Sequence, residues 1–438
     1  MEAITAWWQG RSAATQDVLL LLLLLAPAIL AGLAVLRGYR PYALVGAMLW
    51  RYRFTNALFV ALIAVSVGIG VGLIAQERGL RKGTARAAEK FDLIVAAPGS
   101  EVQMLLAAVY LQPVDVPLLD GPTYDAIARH ENVVLAAPIA YGDSFGASPV
   151  IGTTAPFVAH LSGDLAAGRM FAALGEAVAG AAVPLAIGDA FEPAHGVGAS
   201  AEHGAHAGHA LTVVGRMQPT GSPWDRAILV PVESVWAVHG LATGHAPGDA
   251  RIGPPFDPAF FPGTPAILVR AEQLWANYAL RSEFTTERTM AFFPGAVLAG
   301  LHSMLGDVRQ VMSVMAVLTQ VLVTAGVLAG LVILTRLYAR RLALLRAIGA
   351  PARFVFSVVW CYAAALIGAG ALLGVAVGLA AVGAISRLVT ARTDILVEAT
   401  LAWPEFHLVA GFVSLTVLLA LLPAFMAVSR DITSDLRS

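Results

Sequence analysis

The stretch Tyr338–Arg353, YARRLALLRAIGAPAR, lies between two long apolar runs, Met312–Thr335 and Phe354–Ile385. Runs of that length can cross a bilayer core of about 30 Å, so the stretch is read as joining two membrane spans. Arg340, Arg341, Arg346 and Arg353 crowd into it, and short arginine-rich loops stay on the cytoplasmic side. Leu342, Leu345 and Ile348 recur at steps of three while the arginines take other faces, which predicts a short amphipathic helix. Gly349-Ala350-Pro351 ends it, because proline disfavours the α region for the residue before it. Two readings stand for such a segment: a connector lying in the headgroup region, and a docking surface for a cytoplasmic partner.

The rest of the 438-residue chain supports membrane insertion: 58% of residues are hydrophobic and 13% charged, with a mean hydropathy of +0.74, outside ordinary soluble usage. A net charge of −1 gives no case for nucleic-acid binding, which needs a clustered basic face. The single cysteine, Cys361, excludes an intrachain disulfide.

Working outward, Val18–Leu36 reads as an uncleaved span, because the segment before it is not basic and Arg37 and Arg40 follow it. Pro41–Arg53 reads as an interfacial elbow on the cytoplasmic face, with Trp50, Arg51 and Arg53 near its end. Phe54–Ala75 is the next span and carries Gly68, Gly70 and Gly72. Phe354–Ile385 carries Gly370, Gly374 and Gly378 at steps of four, a small-residue stripe that favours close helix packing. Gly326 and Gly330 form a matching stripe on the span before it. Arg387–Glu405 is expected as a short outer loop, after which Phe406–Val428 returns inside with Arg430 and Arg437 behind it. That makes five spans, with the N-terminus outside and the C-terminus inside. No acidic residue or lysine sits mid-span, so the charge relay of an ion-coupled carrier is missing.

Between Gln76 and about Val308 the chain turns polar, and short strand-like runs alternate with helical ones. Phe91–Ala96, Val133–Pro138, Pro149–Gly152, Ala177–Pro184, Leu211–Met217 and Ala227–Pro231 read as strands, and Val102–Tyr110, Thr123–His130 and Val232–His239 as helices. This predicts a large extracytoplasmic α+β domain, ending in a helical stalk over 296–311 that continues into the next span. Within it, 192–210 is a histidine-rich loop holding His195, His203, His206 and His209. His203, His206 and His209 are spaced to offer imidazoles to Zn²⁺ or Cu²⁺; the other reading is a flexible loop that its histidines merely solvate. His239 and His245 are further candidates whose distance nothing in the sequence fixes.

The chain is not expected to be its own ATPase. A phosphate-binding loop needs Gly-Lys followed by Ser or Thr, and the only lysines, Lys82 and Lys90, are followed by Gly83 and Phe91.

The phrase RRLALLRAIGA at Arg340–Ala350, followed by an apolar span, resembles the cytoplasmic loop of the FtsX/MacB-like family of ABC transporter permeases. ALVGAMLWRYRFTNALFVALIAVSVGIGVGLI, FDLIVAAPGS at Phe91–Ser100 and VVGRMQPTGSPWDRAILV resemble other phrases of that family. The resemblance implies four core spans in a bacterial inner membrane, a periplasmic α+β core domain, and a cytoplasmic ABC ATPase partner that binds ATP and Mg²⁺. It also implies that Arg340, Arg341, Leu345, Arg346, Ile348 and Gly349 couple to that ATPase. A second permease copy, as homo- or heterodimer, and a periplasmic adaptor or substrate protein are further implied partners. Residues 1–37 are then an extra helix, 38–76 the elbow and first core span, 77–311 the periplasmic domain, and 312–438 the permease domain with coupling loop 336–353. The layout is nearer the lipoprotein-release and FtsX-type permeases than MacB-type exporters, whose ATPase lies on the same chain. Two alternatives to cargo movement remain: a regulator that activates a periplasmic enzyme, and a metal-linked transporter using the histidine loop.

Overall fold

The computed structural model describes residues 7–8, 10–112, 114–196, 209–304, 306–393, 395–397 and 400–429. In chain order the elements are α1 (Ala13–Leu36), α2 (Tyr42–Arg51), α3 (Arg53–Ala88), β1 (Leu93–Ala96), α4 (Glu101–Ala108), α5 (Gly121–Ala128), β2 (Val133–Pro138), β3 (Ala140–Phe145), β4 (Ser148–Thr153) and α6 (Ala155–Ser162). They continue with β5 (Ala167–Gly168), β6 (Glu176–Ala179), β7 (Ala190–Phe191), β8 (Ala194–His195), β9 (Leu211–Arg216), β10 (Ile228–Pro231), α7 (Val232–Val238), β11 (Ala266–Ala271), α8 (Leu274–Glu283), β12 (Met290–Phe292), α9 (Pro294–Met304), α10 (Gly306–Ala347), α11 (Ala352–Thr393), α12 (Trp403–Leu419) and α13 (Leu421–Val428). The chain forms two compact units. One comprises Met1–Gly79, Asp307–Arg387 and Ala399–Ser438, the other Leu80–Gly306 with Leu388–Glu398.

The first unit is helical. Four helical stretches, Ala13–Leu36, Arg53–Ala88, Ala352–Arg392 and Trp403–Val428, are long and apolar enough to cross a membrane. The fifth expected span lies within α10, where Val317–Ile333 is a shorter apolar stretch. Glycine sets how closely two of these helices approach. A methyl group on Gly370 would sit 2.6 Å from Ile63 Cβ, one on Gly374 2.7 Å from Val67 Cβ, and one on Gly378 3.0 Å from the Gly68 carbonyl oxygen. The stripe on α11 therefore meets α3, including Gly68, and not the Gly326/Gly330 stripe of α10. Gly330 instead faces the Phe59 ring, while a methyl on Gly326 would meet open space among the described residues. The extra helix α1 lies against α12, where His407 Nε2 donates to the Asp17 carbonyl at 3.0 Å.

The second unit is α+β. Ser100 and Asp120 start α4 and α5 by accepting from the backbone N–H of Gln103 and Thr123, at 3.3 and 3.0 Å, which satisfies donors a helix start leaves open. One sheet has the order β12-β1-β11-β2 and is antiparallel throughout. The larger sheet runs β5-β9-β6-β10-β4-β3-β8, with β7 also on β9. It is mixed, β10 lying parallel to β4 and β6 parallel to β9. Leu93 and Val95 join one buried cluster while Ile94 and Ala96 join another, and β10 and β11 alternate in the same way. With both faces covered, these strands read as unbroken apolar runs.

Several expectations change. Of the Ala177–Pro184 run only 177–179 is strand, within β6 (Glu176–Ala179), and β3, β11, α6 and α8 are additional elements. The expected loop Arg387–Glu405 begins as helix, since α11 runs to Thr393, and Leu388–Glu398 belongs to the second unit. There Ile395 and Val397 are buried, and the Leu396 N–H donates to the Gly221 carbonyl at 3.3 Å. The stalk is helical as α9 and then α10, with Leu305 between them outside the described residues.

Gly374→Val would force a branched side chain onto Val67 and the Ala64 carbonyl, and overpacking of this kind costs about 1–3 kcal/mol. Thermal unfolding of the purified protein in detergent should show a clear loss for Gly374→Val and little change for Gly326→Ala.

Candidate functional site

The basic stretch folds differently from its expected short helix. Nothing between Thr335 and Ala347 breaks the helical pattern, so α10 runs unbroken from Gly306 to Ala347. It ends at Gly349, whose φ of +103° is left-handed and suits glycine. The N–H of Ala350 donates to the Leu345 carbonyl at 2.9 Å and that of Gly349 to Arg346 at 3.1 Å, the two bonds of a Schellman closure. Pro351 follows, its carbonyl accepting from Phe354 at 2.9 Å, and α11 begins at once. The segment 336–353 is thus a helix end and a four-residue turn.

The candidate coupling residues divide into two sets. Leu342 is buried and Leu345 and Arg346 half-buried. Arg346 Nη1 donates to the Val428 carbonyl at 3.1 Å, satisfying an acceptor at the end of α13. Arg341 is exposed, and its Nη1 donates to Tyr52 Oη at 2.9 Å. These two arginines hold the turn against α13 and the elbow. Arg340, Arg353 and Gly349 are exposed. Ile348 does not share the buried face of Leu342: it is 81% exposed, and Leu344, which the sequence pattern did not single out, is 50% exposed. Ile348 lies one residue past the end of α10, in the turn, so the three-residue helical spacing no longer predicts burial there.

Beneath the turn lies an aromatic cluster that the sequence did not reveal. Tyr52 and Tyr338 meet edge to face at 5.0 Å, Tyr338 and Tyr362 at 6.5 Å, and the Tyr362 hydroxyl bonds the Asn56 amide oxygen. Asn56 Nδ2 in turn donates to the Leu49 carbonyl at 2.9 Å. One network therefore joins the elbow α2, the start of α3, α10 and α11. The elbow itself presents Trp50 outward, with the Arg53 guanidinium 5.5 Å over its ring.

No protein-family profile and no curated protein matches this chain. Among solved structures, the crystal structure of the periplasmic region of MacB from Actinobacillus actinomycetemcomitans is similar to part of it, with a TM-score of 0.30 and 11% identity over 50% of this chain and 95% of that one. At that score the likeness carries no weight for function.

Of the histidines, His203 and His206 lie outside the described residues, and His209 is exposed. His195, on β8, and His239, at the end of α7, both face Asp143 of β3. His245 is buried elsewhere, its Nε2 3.6 Å from Glu233 Oε1. Glu233 accepts from the Gly253 N–H. Burial pushes its carboxyl above the ordinary glutamate range, opposed by that bond and by His245.

Two outcomes follow from these contacts. Tyr362→Phe, which removes a buried hydroxyl from Asn56, should cost about 1–2 kcal/mol, whereas Arg341→Met at an exposed pair should cost under ~0.5 kcal/mol; thermal unfolding in detergent compares them. A raised carboxyl pKa contributes stability that is complete below the ordinary glutamate value and is lost as pH rises through the raised one. Glu233→Gln keeps an acceptor for Gly253 without a charge, so its unfolding temperature should gain on the wild type as pH rises from 4 to 8. Parallel pH profiles would contradict this.

Proposed function

We propose that this chain is the membrane-embedded permease half of an ABC transporter whose ATP and Mg²⁺ are bound by a separate ATPase subunit. The observation that carries the reading is the turn at 344–353. A push delivered to a helical hairpin moves both helices only if the turn itself does not yield. Here the Schellman closure at Gly349 and the bonds from Arg346 to Val428 and from Arg341 to Tyr52 stiffen it. Leu344, Ile348, Arg340 and Arg353 stay outward, a small apolar knob rimmed by positive charge. Its complement is an apolar pocket rimmed by carboxylates on the ATPase.

In this reading α10, whose 42 residues make a rod of about 63 Å, carries the stroke away from the cytoplasm. The second unit, taken as periplasmic, converts the stroke into export or extraction of a lipid, lipoprotein or peptide. The family phrase RRLALLRAIGA supports the assignment. ATPases of this class act in pairs, so a second permease copy completes the assembly in the inner membrane.

Co-purification with the ATPase subunit in nanodiscs tests the reading. Ile348→Asp combined with Arg340→Glu should lower permease-stimulated ATP hydrolysis at least about tenfold, some ~1.4 kcal/mol of coupling. The unfolding temperature should hold, since both side chains are exposed. Unchanged stimulation, or a purified chain that binds no ATPase, would overturn the assignment.

A further inference from the structure

The histidine tract drew attention in the sequence, yet the side chains that meet lie at its edge and far from it. Asp143 and His195 are directly opposed on β3 and β8. The register there is tied by the Gly196 N–H donating to the Gly142 carbonyl at 2.7 Å and by Ser144 Oγ donating to the Gly196 carbonyl at 2.6 Å. His239 arrives from the C-terminal end of α7, which Gly240 closes at a φ of +68°. One nitrogen from each histidine and one carboxylate oxygen lie within 4.8 Å of one another.

We propose that Asp143, His195 and His239 bind a divalent first-row transition-metal ion, with Zn²⁺ the best fit. Three observations carry this. First, the tautomer of His239 is set: Nδ1 lies 2.8 Å from the Val235 carbonyl oxygen, which can only accept, so Nδ1 carries the proton. Nε2, the nitrogen on the side of Asp143, is then the one through which the ring would ligate. A backbone carbonyl orienting an imidazole through its other nitrogen is the usual support of a metal-ligating histidine.

Second, the spacings, at the long end for direct hydrogen bonds, also match two ligands of a shared ion. Asp143 Oδ1 is 3.3 Å from His195 Nδ1 and 3.5 Å from His239 Nε2. Charge-assisted N–H···O bonds close to about 2.7–2.9 Å. Two ligands each about 2.0–2.1 Å from a tetrahedral Zn²⁺ are about 3.3–3.4 Å apart. Third, the accessibility is graded. Asp143 is 2% exposed, while the His239 and His195 side chains are 27% and 52% exposed. The buried carboxylate gives a fixed negative anchor, and the half-open imidazoles leave a side on which an ion enters, exchanges and keeps a water. Two imidazoles and one carboxylate select Zn²⁺ and its transition-metal neighbours over Mg²⁺ or Ca²⁺, which prefer all-oxygen sites. The site does not depend on the transport assignment, since it involves neither the turn nor an ATPase.

The test uses the full-length chain in detergent, purified without a polyhistidine tag, stripped by a chelator and titrated with Zn²⁺ and with Co²⁺ as a spectroscopic probe. The wild type should bind one equivalent tightly, with Mg²⁺ not competing. Asp143→Asn and His195→Gln should each weaken that equivalent at least about thirtyfold, ~2 kcal/mol. His195 pairs with the buried Asp143, so metal-free unfolding of each variant, read alongside the titration, separates lost ligation from lost folding. A variant with His203, His206 and His209 all changed to Ser should keep the tight equivalent. If that variant alone loses it, if Asp143→Asn and His195→Gln bind like the wild type, or if the wild type binds no metal, the site is overturned.

Discussion

The near-contact of two helix backbones governs the first unit. α3 and α11 approach until Gly68 of one and Gly370, Gly374 and Gly378 of the other leave no room for a side chain. Where lipid tails surround a helix, apolar burial gives little drive for association, and dispersion from close packing has to supply it. Once α3 and α11 are locked together, Asn56 and Tyr362 fall within bonding distance at one end. At the other end of α3, Arg78 reaches Glu405, a buried carboxylate, at 2.7 Å. The hairpin turn can be stiff because the helices behind it are already fixed.

In the second unit the corresponding constraint is a closure between distant segments. β1, immediately after α3, pairs with β11 and β12 nearly two hundred residues later. The first and last parts of the domain thereby share one sheet, and each covered face supplies a separate apolar cluster. The excursion between them builds the larger sheet, and its edge pair β3–β8 sets Asp143 opposite His195. The metal site proposed there depends on sheet register: a slip of one residue would send one of the two side chains to the opposite face.

The turn and the three-residue cluster show one design rule at two scales. In each, part of the polar set is spent on holding geometry and the rest is presented. Arg341 and Arg346 bind Tyr52 and Val428, while Arg340 and Arg353 stay outward. His239 binds Val235 with one nitrogen and turns the other to Asp143. Without the first contact, the second group would be one of many rotamers.

Local sequence determined the elements whose signals are complete within a few residues. The apolar helices, the strand Val133–Pro138, the capped start at Ser100 and the stop at Gly349 all rest on period, caps and a left-handed glycine, which need no distant partner. It marked the glycine stripe on Gly370 but not its neighbour, because a stripe says that something comes close and is silent on what. It placed the basic residues of the turn together but wrongly grouped Ile348 with Leu342, since spacing cannot tell a helix interior from the turn just beyond its end. Tertiary structure alone decided that Leu388–Glu398 joins the α+β unit, and that Tyr52, Asn56, Tyr338 and Tyr362 form one network. It alone put His239 beside Asp143 and His195 while burying His245 against Glu233. Those pairings span tens to hundreds of residues, and only chain closure and register bring such groups within a few ångströms.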